Sequence, residues 1–82
     1  MKKSIGSYLD QVRDTDSRIA IESFYNYCKG RILLEDLGVS SWRLAVKRLV
    51  DYENFYKPRG EVPKRYESLI SSYEAWRALG ES

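Results

Sequence analysis

What most constrains this chain is the spacing of its apolar residues, which is helical from one end to the other. Trp42, Ala45, Val46, Leu49 and Val50 recur at the three- and four-residue intervals that line one face of an α-helix, and Ser40 or Ser41 stands where an N-cap belongs. The same rule marks Ile5, Tyr8, Leu9 and Val12 as a short first helix, with Ser4 available to cap it. The polar turn Asp14-Thr15-Asp16-Ser17 caps a second, whose stripe is Ile21, Phe24, Tyr25 and Cys28 and whose stop is Gly30. Leu33, Leu34 and Leu37 make about two further turns, closed by Gly38. Between Asn54 and Pro63 the pattern breaks, and Pro58, Gly60 and Pro63 predict a loop there. Pro63 then sits in the first turn of a last helix, with Tyr66, Leu69, Ile70, Tyr73 and Trp76 inward and Gly80 as the stop.

No alternating, β-branched segment competes with this reading, although 57–66 is short enough to hide a small hairpin. The expected fold is all-α, a compact bundle of four to five short helices with a basic wing or loop at 57–66. The chain has 82 residues, enough for a single domain over 1–82. About twenty buried apolar side chains offset the ordering entropy only narrowly, which makes marginal stability or a homodimer the expectation.

Composition removes most chemistry. There is no histidine and only one cysteine, Cys28, so an internal disulfide, a histidine-based nucleophile and a zinc site are not expected. The glycines are scattered and form no phosphate-binding loop, and Asp10, Asp14 and Asp16 read as helix caps rather than as a metal or general-acid cluster. No enzyme and no cofactor are expected. Neither a membrane-spanning stretch nor the apolar core of a secretory signal is visible, and the expected location is the cytoplasm.

The net charge is only +2, but it is unevenly spread: neutral over residues 1–28, +4 over 29–65 and −2 over 66–82. On the helix at 42–50, Arg43, Lys47 and Arg48 project opposite the apolar stripe, with Leu44 between them. Such cations can neutralise phosphates or read guanine in the major groove; equally, they are the ordinary solvated face of an amphipathic helix, with Lys47 paired to Asp51. The loop that follows adds Lys57, Arg59, Lys64 and Arg65, an arm suited to a phosphate backbone or simply a soluble connector. Tyr52, Tyr56 and Tyr66 flank these cations and are candidates for stacking on bases or for a protein interface, against the reading that they are core or rim. Cys28, on an apolar stripe, reads as a small core residue.

Two resemblances point the same way. Leu37-Gly38-Val39-Ser40, set within 33–52, resembles the turn of a helix-turn-helix, although that family's pattern would bury Leu44 and Lys47 and place a small residue at 34, where Leu34 stands. Tyr8-Leu9, the aromatic positions Phe24 and Tyr27, and the run Gly38-Val39-Ser40, Leu44, Arg48-Leu49, Phe55-Tyr56 and Gly60-Glu61-Val62-Pro63 resemble the core-binding domain of tyrosine recombinases, a SAM-like helical fold that clamps DNA. The segment 31–39 is shorter than that family's third helix, and no catalytic domain follows within the sequence. The resemblance implies a DNA-binding helical fold without recombination.

The leading expectation is therefore a non-catalytic regulator or architectural protein of phage or mobile-element type. In it, Arg43, Lys47 and Arg48 approach duplex DNA while Lys57, Arg59, Lys64 and Arg65 hold its backbone. The rival is a protein-interaction module, an adaptor or inhibitor that uses surface tyrosine and tryptophan, with the basic region steering it to an acidic protein partner.

Overall fold

The computed structural model describes residues 5–80. Among them are four α-helices and no strand: α1 (Ile5–Leu9), α2 (Thr15–Cys28), α3 (Trp42–Asp51) and α4 (Glu67–Ala78). The protein is an all-α bundle. The candidate cap Ser4 lies outside the described residues.

Local chemistry sets the helix ends. The Asp14 carboxylate accepts from the Ser17 amide at 3.1 Å and the Ser17 hydroxyl at 2.9 Å, capping α2. Ser41, rather than Ser40, caps α3 by accepting from the Leu44 amide at 3.1 Å. After Cys28 the chain turns through Gly30, and the Arg31 and Ile32 amides both return to the Cys28 carbonyl. α1 ends at Leu9, yet Val12 beyond it is buried, so the fourth member of that predicted stripe reaches the core from a turn.

α3 is the centre of the bundle and touches α1, α2 and α4. Its stripe is buried as the spacing requires, with Ala45, Val46, Leu49 and Val50 inside and Trp42 packed at the edge. α4 contributes Leu69, Ile70, Tyr73 and Trp76, preceded by the buried Tyr66. Phe24 of α2 joins them: its ring centroid lies 5.3 Å from that of Tyr73, near edge-to-face, and 5.4 Å from that of Trp76. Such contacts add about 0.5–1.5 kcal/mol each beyond simple burial.

Three expectations need correction. Residues 33–37 form one 3-10 helix, Leu34–Leu37, and Leu33 stays outside it with 62% of its surface exposed. Four residues are too few for an α-helix, and Gly38, at φ +72°, ends the turn in a conformation that side chains disfavour. The predicted break after Asn54 is instead helical as far as Arg59, through a π-turn at Tyr52–Tyr56 and a 3-10 turn at Lys57–Arg59. Pro58 explains the change of geometry: it has no N–H to give, and in α-geometry its ring would meet the carbonyl four residues back, at Asn54. The wider turn bonds the Lys57 amide to the Tyr52 carbonyl instead. The hairpin that 57–66 is short enough to hold does not form: after Gly60, residues 61–63 lead into a 3-10 turn, Lys64–Tyr66, that runs straight into α4. Pro63 thus stands just before the helical run rather than inside its first turn.

Candidate nucleic-acid interface

The seven predicted contact cations, Arg43, Lys47, Arg48, Lys57, Arg59, Lys64 and Arg65, do not present themselves alike. Lys47 is on the exposed side of α3, but its ammonium lies 3.2 Å from the Asp51 carboxylate one turn on. That hydrogen bond, and the charge behind it, raises the Lys47 pKa. An exposed i, i+4 pair of this kind is worth only about 0.3–0.5 kcal/mol, so a phosphate can displace Asp51. Arg43 is half-buried, and its Nε is enclosed without a hydrogen-bond partner.

Arg48 does not point away from the bundle. Its Nη1 donates to the Gly38 carbonyl and to the Arg65 carbonyl, each at 3.2 Å, and its guanidinium lies 5.2 Å from the centroid of the Tyr66 ring. The Arg65 guanidinium is 5.6 Å from the same ring, and the Tyr56 ring packs edge-on against it at 5.5 Å. Gly38, Arg48, Arg65 and Tyr66 thus form one cluster joining three stretches of chain. Arg59, Lys64 and Arg65 are exposed, and none of the three is paired with a carboxylate among the described residues.

Lys57 belongs to a different group. Its ammonium stands 3.5 Å from Glu53 and 3.8 Å from Glu74. Glu53 is buried, with 4% of its side chain exposed, and accepts from the Tyr73 hydroxyl at 2.6 Å and from Arg77 at 2.9 Å. Tyr52 donates to Glu74 at 2.7 Å. Burial, followed by these bonds to carboxylates, pushes both the Tyr52 and the Tyr73 phenol far above the ordinary value. This knot of Tyr52, Glu53, Lys57, Tyr73, Glu74 and Arg77 was not anticipated from sequence. The one signal the sequence carries for it is the i, i+4 spacing of Glu53 with Lys57 and of Tyr73 with Arg77.

The stacking role expected of the tyrosines changes accordingly. Tyr52 and Tyr66 are 6% and 5% exposed, so neither offers a ring face to a base. Tyr56 is half-buried against Tyr66. Among the described residues no group of His, Cys, Asp and Glu is arranged to hold a metal ion, and no helix is long and apolar enough to cross a membrane.

No protein-family model, curated protein or solved structure matches the chain. Three exposed cations on two successive turns, the second of them fastened to α3 through Arg48, are chemically suited to a polyanion. Asp51 is held by Lys47 and Glu53 by Tyr73 and Arg77, while Glu61 and Glu67 are exposed in and beside the segment without an ion pair to its cations.

Proposed function

We propose that the chain is a non-catalytic protein that binds double-stranded DNA through its phosphate backbone. The observation that carries the reading is the set Arg59, Lys64 and Arg65, exposed and without carboxylate partners among the described residues, on a segment fastened to α3 through Arg48. Phosphate contacts position a protein on a duplex without reading its sequence. A recognition helix needs a row of free side chains, and on α3 Arg43 is half-buried, Lys47 is paired and Arg48 is bonded to main-chain carbonyls. The backbone is thus the favoured target, consistent with a regulatory or architectural role that depends little on sequence.

The test is fluorescence anisotropy of a labelled duplex of random sequence, titrated at about 50 and about 200 mM salt. Three to four phosphate contacts give a salt slope near −0.9 for each, so affinity should fall about 40- to 150-fold across that range. Absence of binding at the lower salt, or binding indifferent to salt, overturns the reading.

A second reading, docking to a protein, is favoured by one observation. Leu33, 62% exposed, borders an open pocket of about 370 Å³ that Arg31, Ile32, Leu34 and Trp42 also line. An apolar peptide carrying a carboxylate for Arg31 would suit it. Protein docking there predicts that the random duplex stays unbound.

A further inference from the structure

We infer that Arg48 is a positioning residue for the basic segment and not itself a phosphate contact. The inference rests on the DNA-binding reading above, but its structural half can be read without DNA.

Residues 57–66 contain two prolines and a glycine and form no sheet; single 3-10 turns at Lys57–Arg59 and Lys64–Tyr66 close locally, and residues 61–63 between them have no regular structure. Besides the Tyr66 ring, which is buried in the core, two charged side chains fasten the segment, one at each end. At its start Lys57 reaches the carboxylates of Glu53 and Glu74. At its end the Arg48 guanidinium donates to the Arg65 carbonyl and, through the same nitrogen, to the carbonyl of Gly38, 10 residues earlier in the chain than Arg48. Between these two points Arg59, Glu61 and Val62 are exposed.

A guanidinium suits the second fastening better than an ammonium, because it can stack and donate at the same time. It is planar, it offers several N–H groups in fixed directions, and its flat face can rest on an aromatic ring while its edge donates. Here the edge meets two carbonyls and the centre of the group stands 5.2 Å from the Tyr66 ring. The donors used in this way are withdrawn from any ligand. By holding the Arg65 carbonyl against α3, they fix the backbone from which the Lys64 and Arg65 side chains project. Two residues that look equivalent in sequence, Arg48 and Arg65, thus have different tasks. Arg48 orders the segment, and Arg65 and Lys64 meet the polyanion.

Comparing Arg48→Lys with Arg65→Ala tests the assignment. In the random-duplex titration, Arg65→Ala should reduce the salt slope by about 0.9, the signature of one lost phosphate contact. Arg48→Lys keeps the charge and loses the paired donors, so it should weaken binding about fivefold or more at every salt concentration while leaving the slope unchanged. In the absence of DNA, limited trypsin digestion followed by mass spectrometry should show faster cleavage after Lys64 and Arg65 in Arg48→Lys than in the wild type. Wild-type affinity in Arg48→Lys, or a slope reduced by about 0.9 in Arg48→Ala, would make Arg48 an ordinary phosphate contact and overturn the inference. Unchanged cleavage at 64 and 65 would also overturn it. Failure of the wild type to bind DNA sinks the functional reading alone, because the digestion still reports whether Arg48 orders the segment.

Discussion

Removal of one oxygen atom, by Tyr73→Phe, measures how much the buried carboxylate knot holds the bundle together. Tyr73 is fully enclosed and its hydroxyl gives Glu53 a 2.6 Å hydrogen bond. A hydrogen bond to a charged acceptor is worth about 1.5–3 kcal/mol. Glu53 keeps Arg77 at 2.9 Å and Lys57 at 3.5 Å, so its charge is not orphaned by the substitution. The expected loss is therefore in the lower half of that range, about 1.5–2 kcal/mol. In a domain of this size it should lower Tm by roughly 6–16 °C. Urea unfolding followed by far-UV circular dichroism and by tryptophan fluorescence gives the value, with an unchanged m because the surface exposed on unfolding is the same. Repeating the substitution in a Glu53→Gln background isolates the charge: with a neutral acceptor the hydroxyl should be worth only about 0.5–1.5 kcal/mol. A loss below about 0.5 kcal/mol, or the same loss in both backgrounds, would refute the view that an ionised Glu53 organises this region.

Alkaline pH should destabilise the protein from about pH 9 upward. Burial pushes the Cys28 thiol from 9.0 up to about 11, and burial together with the carboxylate bonds raises Tyr52 and Tyr73 as well. A group whose folded pKa is raised loses its proton first in the unfolded chain, so the stability it lends is complete below the unfolded value and disappears as pH climbs through the folded one. For Cys28 that window is pH 9 to 11 and the loss is about 2–3 kcal/mol, readable by urea titrations at stepped pH; constant stability across the window would contradict it. By the same reasoning Cys28 should react with a thiol reagent at pH 8 only as fast as the chain opens, and rapid labelling of the folded protein would show that the site is accessible. Ser41→Ala removes the hydroxyl that caps α3 and should cost about 1 kcal/mol in the same urea assay, whereas Ser40→Ala, in an exposed residue beside it, should cost little.

The elements legible in the sequence are those whose evidence is local. The stripe of α3, the Asp14 cap and the inward set from Tyr66 to Trp76 all depend on neighbours within one or two helical turns, and each lies where the spacing puts it. What escaped depends on partners far along the chain. Tyr52 is buried because Glu74, 22 residues on, accepts its hydroxyl. Glu53 is buried because Tyr73 and Arg77 arrive with α4 to satisfy a carboxylate that by itself belongs in water. Arg48 finds its carbonyls 10 and 17 residues away. The basic residues were recognisable as a group, but the division between those that face solvent and those that hold the chain required the fold. Pro58 misled for another reason: it forbids an α-helix, and the chain answered with a wider helix instead of a loop.

That wider turn at Tyr52–Tyr56 makes the protein sensitive to length at this one place. A π-turn holds one residue more than an α-turn in the same rise, so it is what an insertion into a continuous helix leaves behind. Removing a single residue there would leave only enough chain for an ordinary α-turn, the geometry that the ring of Pro58 opposes, so the helix would have to kink or break at this point. Lys57 would swing away from Glu53 and Glu74, and Tyr56 from the ring of Tyr66. Loops elsewhere, such as the exposed bend at Gly60, can gain or lose residues and leave these meetings intact. In this stretch the number of residues matters as much as their identity: a deletion that changes no charge and opens no cavity would still misdirect every side chain between the centre of the bundle and its last helix.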